Sequence, residues 1–233
     1  MSMTFTIETI TKLSDRHISA MFDLMNQYYD NVKYDKFLHD LNQKDYVILL
    51  WDGDAIYGFS TLELMPLVVN DKEIVGVFSG DTIVDKCRPV GLGLQKGFST
   101  FIYQLLEKED REVYWFLICK GYKTYRYMSI YFNAYYPNPS LETPEFEQEL
   151  MHSYAIKKYG HAYIRESGII INRGDNDYLK DGVAPIDAKA LINPVTRFFI
   201  EKNPNHERGD ELVCLARFSQ ENLKDAFFRV IKR

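Results

Sequence analysis

Two glycines set two apart, Gly91 and Gly93, open the clearest amphipathic stretch of the chain and follow a β-rich run that ends near Val84. A strand, a glycine-bearing loop and a helix start, in that order, make a place for an anion. The first N–H groups of a helix have no partner within it, and they carry the positive end of the helix dipole. Glycine removes the Cβ atoms that would hold a phosphate or pyrophosphate away from those amides. Arg88, three residues before Gly91, adds a cation. Two better-known phosphate motifs are not met. No Gly-Lys-Ser/Thr follows, as a P-loop needs. Position 96, where a dinucleotide fingerprint wants a third glycine or alanine, is Lys96. A Gly-x-Gly pair also occurs in ordinary loops, so the reading rests on the strand before it and the helix after it.

The elements that must position this junction follow from hydrophobic spacing. Phe5, Ile7 and Ile10 mark a short opening strand. Ser14 or Asp15 suits an N-cap, and Ile18, Phe22, Met25 and Tyr29 recur near helical spacing. A helix is predicted from there to about residue 31, and a second over 34–42. Residues 46–51, 56–65 and 73–84 are β-rich runs separated by turn signals at Asp52-Gly53-Asp54 and Asn70-Asp71-Lys72. They predict an antiparallel meander. The helix over 94–108 gathers Leu94, Phe98, Phe101, Ile102, Leu105 and Leu106 on one face. Residues 113–119 are continuously apolar and read as a central strand buried on both faces. Seven aromatics crowd 121–136, and the prolines at 137, 139 and 144 then break the chain. Beyond them the spacing predicts a helix over 145–158, a strand over 163–172, a loop over 173–187, a helix over 194–202, a strand over 212–218 and a helix over 220–232. The order predicts one mixed α/β (α+β) domain over residues 1–233, with a core at about 5–138 and a C-terminal extension at about 139–233.

Composition narrows the class. The chain has 233 residues, 46% hydrophobic and 26% charged, which is globular and long enough to bury a core. A formal net charge of -5 speaks against general nucleic-acid binding, which needs a basic footprint. It leaves a small anion held by backbone amides open. No apolar run approaches the roughly 20 residues of a membrane span. Residues 1–10 lack a basic stretch followed by an apolar run, so no secretory signal is expected. Cys87, Cys119 and Cys214 are widely spaced, with no Cys-x-x-Cys and no Cys/His cluster. They read as reduced thiols in a cytoplasmic protein, and no metal is expected.

Arg88-Pro89-Val90-Gly91-Leu92-Gly93 resembles the Q/R-x-x-G-x-G/A signature of the GNAT acyltransferase superfamily, and the element order over about residues 5–138 is similar as well. The resemblance implies a GNAT-like acyl-CoA N-acyltransferase fold: a mixed, mostly antiparallel sheet flanked by helices. It implies an acyl-CoA or acyl-carrier-protein thioester as co-substrate and a small-molecule or peptide amine as acceptor. The amides of Gly91, Leu92, Gly93 and Leu94 would hold the pyrophosphate, with Arg88 beside them. The backbone of Ile83 and Val84 would run along the pantetheine arm, and a splay between strands 73–84 and 113–119 would admit the thioester. Val90 stands where many members carry Arg, which leaves a weaker grip on CoA, or a carrier-protein donor, open.

Transfer to an amine needs a base for the ammonium and an acid for the departing thiolate. Asp81, on the last meander strand, is the expected base, with Glu63 on the strand before it in reserve. Asp81 also reads as an ordinary turn or strand-edge carboxylate. His161 is a further candidate, because the ordinary pKa of histidine lies near neutrality. In the family the acid is often a Tyr after the strand 113–119. Tyr122, Tyr125, Tyr127, Tyr131, Tyr135 and Tyr136 all qualify, and Tyr135 is chosen because Asn133-Ala-Tyr-Tyr falls where the family's next helix lies. Cys119 reads as a small buried residue rather than a nucleophile. The aromatics between 114 and 136 either line a pocket for a medium or long acyl chain or fasten the extension onto the domain. Two other classes stay open: a non-catalytic module that binds acyl-CoA or an acylated carrier, and a scaffold in which the glycine pair is only a loop.

Overall fold

The computed structural model describes residues 3–88, 92–172, 174, 178–180 and 188–232. In chain order the strands are β1 (Met3–Thr9), β2 (Tyr29–Asp30), β3 (Tyr46–Asp52), β4 (Ala55–Val69), β5 (Lys72–Val84), β6 (Glu112–Cys119), β7 (Tyr163–Ile164), β8 (Ile169–Ile170), β9 (Tyr178–Leu179) and β10 (Glu211–Phe218). The helices are α1 (Asp15–Tyr28), α2 (Tyr34–Leu41), α3 (Gly93–Leu106), α4 (Tyr122–Tyr131), α5 (Glu145–Tyr159), α6 (Ala188–Ile192), α7 (Pro194–Lys202) and α8 (Asp225–Lys232). Eight strands form one sheet in the order β1-β3-β4-β5-β6-β10-β8-β7. Every pair in it is antiparallel except β5 and β6. The fold is the expected mixed α/β architecture with a mostly antiparallel sheet flanked by helices.

The meander, α3 and β6 stand where hydrophobic spacing put them, because each is a long run with a single period. Three local expectations change. The single strand over 163–172 is a hairpin of β7 and β8, turned at Gly168 with a φ of +72°. His161 lies on the 3-10 turn that precedes it rather than on a strand. The first helix stops at Tyr28, and Tyr29–Asp30 pairs instead with Tyr178–Leu179, inside the stretch read as a loop.

The C-terminal extension completes the sheet. β10 lies antiparallel along the far side of β6, from Leu212↔Cys119 to Phe218↔Val113. That buries β6 on both edges as well as both faces, which its unbroken apolar sequence permits. One core lies on the α3, α4 and α8 side, around Trp115, Phe132, Phe218 and Phe227. On the opposite face α5 packs against Phe116 and Phe78, and α1 and α2 cover Leu49 and Phe59. Two glycines bring helices close to the sheet. A Cβ on Gly97 of α3 would lie 2.5 Å from Ile48, and one on Gly76 of β5 would meet the Tyr154 ring of α5 at 2.5 Å. Among the described residues no helix is long and apolar enough to cross a membrane.

Candidate active site

The sheet opens where its one parallel pair ends. β5 and β6 stay in register from Ile74↔Glu112 to Ser79↔Leu117, while β5 continues to Val84 and β6 to Cys119. Two features fix the divergence at Ser79. The Trp115 indole N–H donates to the Ser79 hydroxyl at 2.8 Å in the core and pins the last paired position. Immediately beyond, β5 bulges against β4: Leu62 faces Ser79 and Ser60 faces Thr82, so Thr61 meets both Gly80 and Asp81. An extra residue on one strand bends it and raises its twist. Gly80 is required there, since a Cβ would fall 2.5 Å from the Thr61 hydroxyl and 2.8 Å from the Lys44 side chain.

A cavity of about 390 Å³ passes through this opening. On one side it is bounded by the first turn of α3 (Leu94, Gln95), by Phe98, Trp115 and Leu117, and by Thr124, Tyr127 and Tyr131 of α4. On the other it is bounded by Asp81, by Phe37 and Asp40 of α2, by Lys158 and Tyr159 of α5, by Lys120 and by Glu211.

The first of these sides presents backbone amides at the start of a helix. Lys96 N–H donates to the Leu92 carbonyl at 2.8 Å as the first hydrogen bond of α3. The amides of Gly93, Leu94 and Gln95 precede that bond, and the Leu92 side chain cannot cap them. Gln95 donates to the Tyr127 hydroxyl at 3.0 Å, while its buried carbonyl oxygen has no partner among the described residues. A buried acceptor left unpaired is costly unless a ligand or water completes it. Past Ser79 the edge of β5 that faced β6 has no strand beside it among the described residues, leaving backbone groups for an extended amide-bearing arm.

Several expected contributors sit differently from the reading of the sequence. Gly91, with Pro89 and Val90, lies outside the described residues. Gly93 does not clear space for a ligand: a Cβ there would point at Leu50, 3.2 Å away, so this glycine lets α3 approach the sheet. Arg88 is held by two carboxylates, bonded to Asp52 of β3 and 3.9 Å from Asp85. Asp85 also accepts from the Cys87 N–H at 2.9 Å and the Tyr28 hydroxyl at 2.8 Å, which hold its carboxyl below the usual range. Arg88 therefore fastens the loop to β3. Ile83 is buried and Val84 exposed at the end of β5, both paired on the β4 side.

Asp81 lines the cavity from the bulge. Glu63 stands near it but is engaged by Lys158 at 2.6 Å. Tyr135 is buried, 6.0 Å ring to ring from Tyr125, and does not line the cavity; His161 is exposed and does not line it either. The start of α4 at Tyr122 explains the first of these. Residues three and four apart share a helix face, so Thr124, Tyr127 and Tyr131 look into the cavity while Tyr122, Tyr125 and Met128 look into the core. Tyr125 donates to the Pro137 carbonyl at 2.7 Å and lies against Phe198 and Phe199 of α7. Phe132 packs on Trp115 and Phe218. Most of the aromatic segment thus fastens the C-terminal extension, and only Trp115, Tyr127 and Tyr131 of it border the cavity.

On the other side sequence reasoning named Asp81 and Glu63 but missed Tyr159, Asp40, Glu211 and the lysines around them. Tyr159 sits where Glu211, Asp40, Asp81 and Glu63 converge, and burial first, then those carboxylates, push its phenol well above its ordinary pKa. It stays protonated and can donate. Lysines answer three of the acids: Lys44 lies 2.7 Å from Asp40, Lys158 2.6 Å from Glu63 and Lys120 3.5 Å from Glu211. Among the described residues no group of three or more His, Cys, Asp or Glu could hold a metal ion.

No family model matches the sequence, and no curated protein matches it. Solved structures do match. A protein of unknown function from Enterococcus faecalis V583, described as a probable N-acyltransferase, aligns with a TM-score of 0.44 at 12% identity, over 55% of this chain and 32% of that one. A putative acetyltransferase of the GNAT family from Desulfovibrio desulfuricans gives 0.41 at 10% identity, over 57% and 86%. YhbS, a GNAT family N-acetyltransferase from Escherichia coli solved with CoA, gives 0.37 at 11% identity, over 50% and 63%. This chain thus spans less than two thirds of the first and third of these proteins. The chain's own topology, a mostly antiparallel sheet that opens at one parallel pair with the first turn of a helix bordering the opening, is the mixed α/β arrangement that the resemblance in sequence implies.

Proposed function

We propose that the protein is an N-acyltransferase that moves a short acyl group from a CoA thioester to a primary amine. One observation carries the reading: a single cavity joins the uncapped first turn of α3 to the carboxylate of Asp81 through the gap between β5 and β6. A donor bound by backbone amides on one side would present its thioester in that gap, and an amine would reach it from the other. The resemblance in sequence assigns the pyrophosphate to the amides of Gly91, Leu92, Gly93 and Leu94 and the pantetheine arm to Ile83 and Val84. The open β5 edge supports the second assignment. Arg88, tied to Asp52 and Asp85, has a loop-holding role in this reading.

An ammonium cannot attack a carbonyl until it loses a proton. Asp81, at the bulge, takes that proton, directly or through a water. The departing sulfur receives one from Tyr127, which lines the cavity and whose oxygen is held by Gln95, and the second proton shed by the attacking nitrogen restores the phenol. Tyr127 replaces Tyr135 in this role, because Tyr135 is enclosed in the core. A short acyl group fits better than a medium or long one, since the aromatics expected to line a channel are mostly spent on α7, α8 and β10. Each buried CH₂ is worth about 0.8 kcal/mol, so a long chain needs an apolar lining this cavity does not extend.

The test is amine-dependent release of free thiol from acetyl-, octanoyl- and palmitoyl-CoA. Release that requires an amine and is fastest with acetyl-CoA supports the proposal. Binding of the thioesters with no release under any amine identifies a non-catalytic acyl-CoA module instead.

A further inference from the structure

The two tyrosines of α5 differ in what their hydroxyls do. Tyr154 is fully buried, stacks on Phe116 and donates to the Met65 carbonyl at 3.1 Å. Tyr159, the last residue of the helix, is half-buried and lines the cavity. Its ring packs on the same core as Tyr154, but its hydroxyl makes no hydrogen bond among the described residues. Acceptors that stand near it are turned to other donors: Asp40 meets Lys44 at 2.7 Å, Glu63 meets Lys158 at 2.6 Å and Glu211 meets Lys120 at 3.5 Å. The chain fixes Tyr159 from both sides. Lys158, just before it, is held between Glu63 and the Phe78 ring, 4.4 Å from the ring centre. Gly160, just after it, takes a φ of +51° and closes the helix by donating its N–H to the Ile156 carbonyl.

Tyr159 therefore brings to the cavity an O–H that the fold does not use. A ligand that strips water from that O–H without accepting from it loses affinity. A simple alkylamine is such a ligand. As an ammonium it has only N–H donors. Once deprotonated it has one lone pair, and that pair must attack the thioester. A hydroxyl or a carbonyl oxygen elsewhere on the amine can accept instead. We infer that Tyr159 is a specificity-determining residue and that the acceptor is an amine bearing a hydroxyl or an amide carbonyl a few bonds from its nitrogen, with that oxygen accepting from the Tyr159 hydroxyl. The inference deepens the acyltransfer reading, on which the fate of the amine depends, but it concerns binding and is read out as binding.

Calorimetric titration of the CoA-saturated protein tests it with amines matched in size. Ethanolamine is set against propylamine, 3-amino-1-propanol against butylamine, and β-alaninamide against 3-methylbutylamine, so the last pair separates carbonyl from hydroxyl. At least one oxygen-bearing amine is expected to bind about tenfold tighter than its alkyl partner, the usual scale for leaving an enclosed donor unpaired. Tyr159→Phe keeps the ring and removes the O–H. It should bring that pair to within about twofold, chiefly by weakening the oxygen-bearing member. A role confined to packing would weaken both members alike and leave their ratio in place. The wild-type comparison stands by itself should the variant fold poorly. Equal or tighter binding of every alkylamine, as expected if a water bridges the hydroxyl to a carboxylate, overturns the inference. So does binding of no amine, or a preference that persists in a folded Tyr159→Phe. Failure of the acyltransfer reading shows separately, as bound amines that never elicit thiol release.

Discussion

The two sides of the opening between β5 and β6 differ in what they offer a ligand. Toward α3 and α4 the wall is backbone amide, aromatic ring and one unsatisfied amide oxygen, and the charged residue nearest the glycine signature is tied down by two carboxylates. Toward α2, α5 and β10 the wall is built of carboxylates and lysines in close pairs. Buried ion pairs are weak contributors to stability, because desolvating both partners consumes much of the attraction. Under the acyltransfer proposal the contrast lets a donor held by main-chain groups and an acceptor held by side chains share one cavity without competing.

Asp81→Asn is the sharpest cut into the charged side. Its amide cannot accept the ammonium proton, and turnover is expected to fall roughly 100- to 10,000-fold, the usual contribution of a general base. The thermal shift given by acetyl-CoA should survive, because the donor side is untouched. Loss of both would mean that the two sides do not act separately.

Leu92→Asp cuts the other side and should separate stability from binding. Leu92 is the N-cap of α3, is exposed, and makes no capping bond. An aspartate there can cap the first turn, a gain of about 1 kcal/mol, or roughly 2–4 °C in melting temperature for a chain of this length. It also fills the anion position with a carboxylate. The variant is expected to melt higher than wild type and to lose the shift with acetyl-CoA, as followed by scanning fluorimetry. A retained shift would place the donor elsewhere.

A third substitution asks whether the opening depends on the helix behind it. Gly97→Ala improves helix propensity by about 1 kcal/mol but puts a methyl 2.5 Å from Ile48. Overpacking of this kind costs about 1–3 kcal/mol, so net destabilisation in urea, with weaker acetyl-CoA binding as α3 shifts, is the expected result.

The smallest effect belongs to a site remote from the gap and serves as a control. His152 of α5 is buried against the Tyr163 hydroxyl at 2.5 Å, and burial first, then Arg165, lowers its pKa below 6.5. A neutral histidine of this kind contributes its full stability above the unfolded value and loses it as pH falls through that value toward the lowered one. His152→Gln should therefore flatten the decline in melting temperature between pH 7.5 and 5.5, with donor and acceptor binding unchanged at pH 7.5.

How much of this was legible beforehand depended on sequence distance. Long single-period runs, such as 94–108 and 113–119, declared their type because one face or two had to be buried. The junction around Gly93 was legible for the same reason, although the glycine turned out to serve packing on Leu50 rather than the ligand. The hairpin at Gly168 was not, because a two-residue strand is too short to show a period. Of the charged side only Asp81 and Glu63 were legible: Lys158 meets Glu63 from 95 positions away, and Glu211 arrives only because β10 inserts beside β6. The choice among the tyrosines of 122–136 turned on where α4 begins, since that register decides that Tyr127 faces the cavity and Tyr125 the core.

The central claim is that donor and acceptor meet in one gap from opposite sides, and it is tested most directly by measuring kcat and KM for acetyl-CoA and for an amine in wild type, Leu92→Asp and Asp81→Asn. The account predicts a raised KM for acetyl-CoA alone in the first variant and a collapsed kcat with unchanged donor binding in the second. Equal damage to both substrates in either variant, or turnover that ignores both, would contradict it.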